Sequence, residues 1–196
     1  MKKTFLFLIA FLLFQSSGYS KSPDSLYTFT AYGGAGYVRN IAQFDYEFPS
    51  LNKNGFLAGL RVMWKPDYLV RAGIEVGRTD LYSVDESSIP TDSGTTNLQT
   101  DVYSWNFMLV FSMSPMDNLE INVGTGMAFN TVNNTAFGNE STSTDGGSVF
   151  MISSGYYFPV SEDLMVGAEL RWMHIPKYDD QTISLQLSIA YTFLEY

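Results

Sequence analysis

The chain has 196 residues and a formal charge of −9 at neutral pH, with 20 acidic residues against 11 basic ones. This acidic balance argues against a nucleic-acid partner, because binding phosphates needs basic surface. Cysteine is absent, which excludes disulfides, thiol nucleophiles and zinc–thiolate sites.

The N-terminal segment has the pattern of an export signal. Lys2 and Lys3 precede an apolar run at 5–14, and Gly18 and Ser20 supply small residues for cleavage. The apolar run is too short to span a bilayer as a helix. We therefore predict a cleaved signal peptide at 1–20 and a single domain at 21–196.

The remaining chain alternates apolar and polar residues with a period of two, which is typical of β-strands. The final stretch, TISLQLSIAYTFLEY, shows this most clearly, because Ile183, Leu185 and Leu187 alternate with polar residues. The alternation predicts eight strands, at 27–38, 55–65, 68–79, 102–113, 119–130, 148–158, 164–174 and 183–193.

The connections between these strands alternate in length. Three short turns contain Pro66, Pro115 and Pro159, each with a nearby aspartate. The other connections are polar and are predicted to be loops, at 39–54, 80–101, 131–147 and 175–181. Short turns at one end and long loops at the other indicate an all-β fold, an eight-stranded antiparallel up-and-down transmembrane β-barrel.

The two faces of the strands indicate what surrounds this barrel. One face is apolar and uncharged through the middle of every strand, whereas the other carries Gly, Ser, Asn, Thr and the mid-strand charges. A soluble ligand-binding barrel would show the reverse arrangement, so the apolar face is predicted to contact lipid. Aromatic residues near its ends predict a girdle at the membrane interfaces: Trp64, Tyr103, Trp105, Phe158 and Trp172.

The pattern resembles the small eight-stranded outer-membrane β-barrels of Gram-negative bacteria, the OmpA/OmpX-like type. Gln186, Ser188, Tyr191 and Phe193 match the spacing of that family's C-terminal assembly signal, with Ser188 in place of glycine and three further residues at the end. The resemblance implies an outer-membrane location, contact with lipids and lipopolysaccharide, and insertion by the barrel assembly machinery. Because the chain ends at its barrel, we expect no periplasmic peptidoglycan-binding domain.

Six charged residues are predicted to point into the barrel, three of each sign: Arg61, Arg71, Glu75, Glu120, Glu169 and Arg171. Unpaired buried charges are costly, so we expect ion pairs among them. Counting from the short turns places Arg71 and Glu120 near the periplasmic end as one pair, and the other four near mid-barrel. An eight-stranded barrel holds side chains rather than an open channel, so this network is expected to plug the lumen.

These features favour a structural or surface-binding, adhesion-like role in which the extracellular loops bind a ligand. An alternative is a narrow transporter of small or apolar solutes, similar to the OmpW-like barrels, with a pocket formed by Leu57, Met108, Met151 and Met173. A lipid-modifying enzyme is the third alternative, but the single histidine, His174, has no catalytic motif around it. We therefore expect no enzymatic activity, no cofactor, and no metal site in the acidic loops.

Overall fold

The computed structural model describes residues 27–43, 50–66, 69–91 and 94–195, so the predicted signal peptide lies outside the described residues. The described chain forms strands β1 (Thr28–Asn40), β2 (Leu51–Asn52), β3 (Asn54–Lys65), β4 (Val70–Thr91), β5 (Gly94–Met116), β6 (Leu119–Ala136), β7 (Asn139–Pro159), β8 (Leu164–Ile175) and β9 (Asp180–Glu195). A short 3₁₀ turn, Pro176–Tyr178, joins β8 to β9. Within the described residues, no helix has the length and apolar character needed to span a membrane.

The long strands close into a ring. Strand β1 pairs with β3 on one side and with β9 on the other, and each remaining long strand pairs with the next along the chain. Every pairing is antiparallel. The two-residue strand β2 pairs with Ser83 and Val84 of β4, beyond Thr79, where the β3–β4 pairing ends. The predicted eight-stranded up-and-down barrel is therefore confirmed.

The alternation of side chains across the barrel wall follows the sequence pattern. On β9, Leu187 is 75% exposed on the outer face, whereas its neighbour Ser188 is only 4% exposed on the inner face. Leu60 and Ile74 are likewise more than 60% exposed. So much apolar surface would be unstable in water, and it is suited to the hydrocarbon of a membrane.

Two of the predicted loops, 80–101 and 131–147, are wrong: the structure describes strand at 80–91, 94–101, 131–136 and 139–147. They continue β4 and β5, and β6 and β7, as paired hairpins beyond the apolar band. Phe137 and Gly138, with φ of 52° and 73°, form the two-residue turn of the second hairpin, as a type I′ turn requires. Leu81 and Val84 still point into the buried interior, but farther from the ring both faces of these segments meet water and carry mainly polar residues, so the alternation is lost there.

Smaller differences concern the ends of the elements. Pro115 lies within the end of β5 and Pro159 at the end of β7, so those turns are shorter than predicted. In the first of them Asn118 has a φ of 67°, a left-handed conformation that asparagine tolerates. The predicted loop at 39–54 contains β2, and part of it lies outside the described residues.

Candidate functional site

A closed ring of four charged residues crosses the middle of the barrel. Arg61 on β3 donates to Glu75 on β4 at 2.6 Å, and Arg171 on β8 donates to the other oxygen of Glu75, also at 2.6 Å. Glu169, on β8, accepts from Arg61 at 2.9 Å and from Arg171 at 3.0 Å. Each carboxylate thus lies between two guanidinium groups, and all four residues are buried.

A second charged layer lies closer to the periplasmic end. Arg71 donates to Glu120 at 2.7 Å, and Arg71 also contacts Ser114. The Tyr32 hydroxyl donates to Glu120 at 3.1 Å. The structure therefore brings all six inward charges into two groups, one of four residues and one of two.

Two tyrosines that sequence reasoning did not single out connect these layers. Tyr32 and Tyr157 pack edge to face, with ring centroids 5.6 Å apart. Tyr157 donates to Glu169 of the upper ring at 3.3 Å, while Tyr32 reaches the lower layer. The sequence held a signal for them, because Tyr32 lies between Thr30 and Gly34, and Tyr157 follows Ser153 and Gly155, on the inward face of its strand.

Apolar side chains fill the barrel above the ring. The residues named as a possible pocket, Leu57, Met108, Met151 and Met173, are all at most 4% exposed. Three of them belong to one packed cluster with side chains from the neighbouring strands: Leu81, Val102, Val149 and Ile175. These side chains pack against one another and occupy the lumen.

A buried carboxylate lies at the extracellular mouth. Asp180, the first residue of β9, accepts a hydrogen bond from the Asn40 side chain at 3.0 Å, and Asn40 in turn accepts one from the backbone of Ala42. Burial raises the pKa of the Asp180 carboxyl above its usual range, although the Asn40 hydrogen bond opposes this effect. The segment after β1 is thereby held against the start of β9.

The extended hairpins form a sheet above the membrane on one side of the ring. Strands β4 to β7 are neighbours, and their pairing continues to Thr91 with Gly94 and to Ala136 with Asn139. The sequence of the two extensions, 80–101 and 131–147, contains seven acidic residues and neither lysine nor arginine. This sheet is the most prominent extracellular feature of the described chain.

The aromatic residues of the predicted girdle lie on the outer wall. Trp64, Trp105 and Phe158 are 40–58% exposed. The Arg78 guanidinium lies 4.2 Å from the centroid of the Tyr103 ring, and Trp172 stacks on His174 at 5.9 Å. His174 sits on this outer face, so its ring does not reach the four-residue charged ring, and its Nδ1 lies 3.2 Å from the Asp180 carbonyl oxygen.

The residues of the predicted assembly signal alternate across the wall of β9. Gln186 and Ser188 are buried on the inner face, whereas Tyr191 and Phe193 are about half exposed on the outer face. Phe193 packs against Phe29 of β1, with ring centroids 6.2 Å apart. The signal therefore lies along the seam where the last strand meets the first, and its role in assembly stays a prediction.

The barrel is similar to several solved structures. Neisserial surface protein A is 14% identical, with a TM-score of 0.52, and the match covers 84% of this chain and 97% of that chain. Ail, the attachment invasion locus protein of Yersinia pestis, is 11% identical with a TM-score of 0.51, and the match covers 84% of this chain and 99% of that chain. A major outer membrane protein of Thermus thermophilus is 12% identical with a TM-score of 0.51, and the match covers 85% of this chain and 99% of that chain. Identities this low show a shared fold alone.

Comparison with curated protein sequences gives no match. The family model of the outer membrane protein beta-barrel domain, however, matches residues 6–193, which is nearly the whole chain. Together with the closed ring and the lipid-facing outer wall, this match places the protein in the outer membrane. The chain belongs to the outer membrane protein beta-barrel domain family.

Proposed function

We propose that the protein is a surface-binding barrel, in which a plugged transmembrane ring carries an acidic extracellular sheet that binds a partner. The observation that carries this proposal is the extended sheet of β4 to β7, which rises from one side of the ring and has no basic residue in its two extensions. Binding residues commonly lie on segments that a rigid scaffold presents to solvent.

The packed interior argues for this role over the narrow transporter. A solute would have to pass the apolar cluster, the ring of Arg61, Glu75, Glu169 and Arg171, and the lower pair. Opening the ring would leave buried charges without partners, which costs several kcal/mol, on the order of 3–5. We therefore propose that the charges stabilise the barrel and that no solute crosses it.

The charge of the sheet indicates the kind of partner. Ail has been crystallised with the heparin analogue sucrose octasulfate, a polyanion. The acidic sheet of this chain would repel such a ligand, and we propose a cationic or neutral partner instead. We further propose that lipids and lipopolysaccharide surround the apolar band and that the barrel assembly machinery inserts the chain. The proposed role involves no catalytic step.

The test removes the upper part of one hairpin. Residues 132–135 and 140–143 pair with each other, so deleting both segments shortens the β6–β7 hairpin and keeps its turn and side-chain alternation. Cells displaying the intact protein should adhere to one or more immobilised extracellular-matrix proteins, and the shortened variant should adhere at least fivefold less. Equal adhesion by both, at matched surface levels, would contradict the proposal.

Single-channel recording in planar bilayers distinguishes the proposed surface-binding barrel from a narrow transporter. The purified barrel should give no stepwise conductance in 1 M salt, as expected for a filled lumen. Regular conductance steps from the intact protein would favour a transporter and count against the plugged ring.

A further inference from the structure

We propose that the lumen binds one ordered water molecule between Ser112 of β5 and Asn122 of β6, and that this water joins the two charged layers into one hydrogen-bonded network. The inference concerns the interior of the ring and is independent of the proposed extracellular binding. A buried water commonly satisfies polar groups that the protein itself leaves without partners.

One row of directly paired residues runs along the inner wall from the upper charged layer to the lower one. Arg171 of the four-residue ring lies opposite Ser153, and Ser153 lies opposite Asn122. Asn122 lies opposite Ser112, and Ser112 lies opposite Arg71 of the lower layer. The three uncharged residues between the arginines are at most 3% exposed, so their polar groups need partners inside the barrel.

The hydrogen bonds of Ser153 fix the orientation of the Asn122 amide. The Ser153 hydroxyl bonds the Glu169 side chain, and because a carboxylate only accepts, Ser153 donates its proton there. The Ser153 oxygen in turn accepts from Asn122 Nδ2 at 3.1 Å. The amide therefore turns its nitrogen toward Ser153, and its oxygen remains free to accept another bond.

Two buried polar atoms lack a partner at the next step of the row. Among the described residues, neither Asn122 Oδ1 nor Ser112 Oγ has a hydrogen-bond partner, and both residues are at most 2% exposed. Leaving such atoms unpaired is costly. The Cβ atoms of directly opposite residues are roughly 5 Å apart, and one water spans such a gap with two hydrogen bonds of about 2.8 Å.

The groups around this gap favour a neutral ligand that can donate. Asn122 Oδ1 only accepts, which disfavours an anion, whereas the arginines at both ends of the row disfavour a cation. Water donates to Asn122 Oδ1 and accepts from the Ser112 hydroxyl. Glu120, the next inward residue of β6, receives Tyr32 and Arg71 on Oε1, so its Oε2 can accept the second hydrogen of the water.

The bonds form a continuous chain whose donors all point toward the upper ring. Ser112 donates to the water, and the water donates to Asn122. Asn122 donates to Ser153, and Ser153 donates to Glu169. Hydrogen bonds that follow one another in this way polarise and strengthen each other. The water's bond to Glu120 then connects the lower layer to the same chain, so the two layers are coupled on this side of the lumen.

A high-resolution crystal structure of the intact barrel, grown with and without sodium bromide, identifies the ligand. We expect a density peak within hydrogen-bonding distance of both Asn122 Oδ1 and Ser112 Oγ, with no anomalous signal in the bromide crystals. An anomalous signal at that position would show that the ligand is an anion. Empty density between the two side chains would show that nothing binds there, and either result overturns the proposal.

A double-mutant cycle tests the coupling in lipid vesicles. Ser112 and Ser153 lie on strands that β6 separates, and the proposed chain is what connects their side chains. The effects of Ser112→Ala and Ser153→Ala on the unfolding equilibrium constant should therefore be non-additive by at least threefold, whereas independent sites add within roughly twofold. Ser184→Ala is the matched control for Ser153→Ala, because Ser184 is a buried serine opposite Arg171 on its other side.

The control pair, Ser112→Ala with Ser184→Ala, should be additive. Equal coupling in both pairs would show that the non-additivity comes from a general change in the barrel, and additivity in both pairs would show that no chain joins the layers. Each of these results overturns the proposed network. Cell adhesion should be unchanged in all of these variants, because their side chains face the lumen.

Discussion

At the scale of single residues, the barrel interior shows how six charges are accommodated in a low-dielectric space. Each strand assigns its residues to one face by simple alternation, so the inward side of Arg61 or Glu75 can be read from the sequence. The partner of each charge depends on the stagger between strands, and the alternation of apolar and polar residues does not reveal that stagger. Arg171 reaches Glu75, which is 96 positions away in the chain.

The first prediction concerns Glu169, which joins both arginines of the ring. Glu169→Gln keeps the size of the side chain and removes the charge, so it leaves excess positive charge buried. We expect the free energy of unfolding to fall by about 3 kcal/mol, measured by urea unfolding in lipid vesicles. Glu162→Gln, an exposed position in the β7–β8 turn, is the control and should change little. Equal stability of the two variants would show that the ring does not stabilise the barrel.

The second prediction concerns Asp180 and pH. Burial raises the pKa of this carboxyl, Asp179 adds to the effect, and Asn40 and His174 oppose it. The folded protein therefore holds the proton to a higher pH than the unfolded chain, and the free energy of unfolding falls as pH rises through the interval between the two pKa values.

Replacing Asp180 with asparagine removes this titration and keeps a hydrogen-bonding partner for Asn40. Asp180→Asn should therefore raise the unfolding temperature at pH 7.5 and bring little gain at about pH 3, where the carboxyl is protonated in both states. The measurement is thermal unfolding followed by tryptophan fluorescence at both pH values. A gain that is the same at both would show that the effect is not ionisation.

At the scale of elements, the barrel strands could be predicted and the extracellular extensions could not. Alternation becomes visible only where one face is buried or meets lipid, as on β9. Above the membrane, β6 and β7 present Ser, Thr and Asn on both faces, so their sequence resembles a loop. The remaining signal was the turn itself, but Phe-Gly is less recognisable than Asn-Gly as a type I′ turn.

The third prediction follows from that turn. Gly138 has a φ of 73° and no heavy atom within 4 Å of where a Cβ would lie, so the cost of a side chain there comes from the backbone alone. Gly138→Ala should destabilise the hairpin by about 1 kcal/mol, seen as faster amide exchange at Asn139, Ser141 and Ser143, whose N–H groups face β6. Gly138→Asn should restore slow exchange, because asparagine tolerates the left-handed conformation. Gly146→Ala, which meets Phe129 only at an ordinary 3.7 Å, is the control.

At the scale of the whole molecule, closure between the first and last strands decides whether the barrel forms. Predicting that closure was possible because an unpaired edge is not tolerated in lipid. The register of the seam, which sets Gly36 opposite Gln186, could not be predicted. It depends on how far all the strands are staggered around the ring.

The fourth prediction tests this seam. A Cβ on Gly36 would contact the Leu185 carbonyl and come within 2.5 Å of the Gln186 Cα atom. Gly36→Ala should therefore push β1 away from β9 and reduce the fraction of protein that migrates as a compact band on a detergent gel before boiling. Gly33→Ala, on the outer face of the same strand with Leu60 at 3.5 Å, should keep the full mobility shift. Similar shifts for both variants would show that the seam accommodates the methyl group.

The one-sided extension of β4 to β7 gives the protein a direction within the plane of the membrane. Residues 80–91 of β4 span about 40 Å along the strand, while β8 ends at Ile175, just above the girdle. On its β7 side the sheet therefore stands above the short β8–β9 turn, which carries Lys177. A partner can approach that side of the sheet only from above β8 and β9, so rotation of the barrel about its own axis governs how often an encounter is productive. In a crowded membrane, a neighbouring protein beside β8 and β9 would block that approach without touching the sheet.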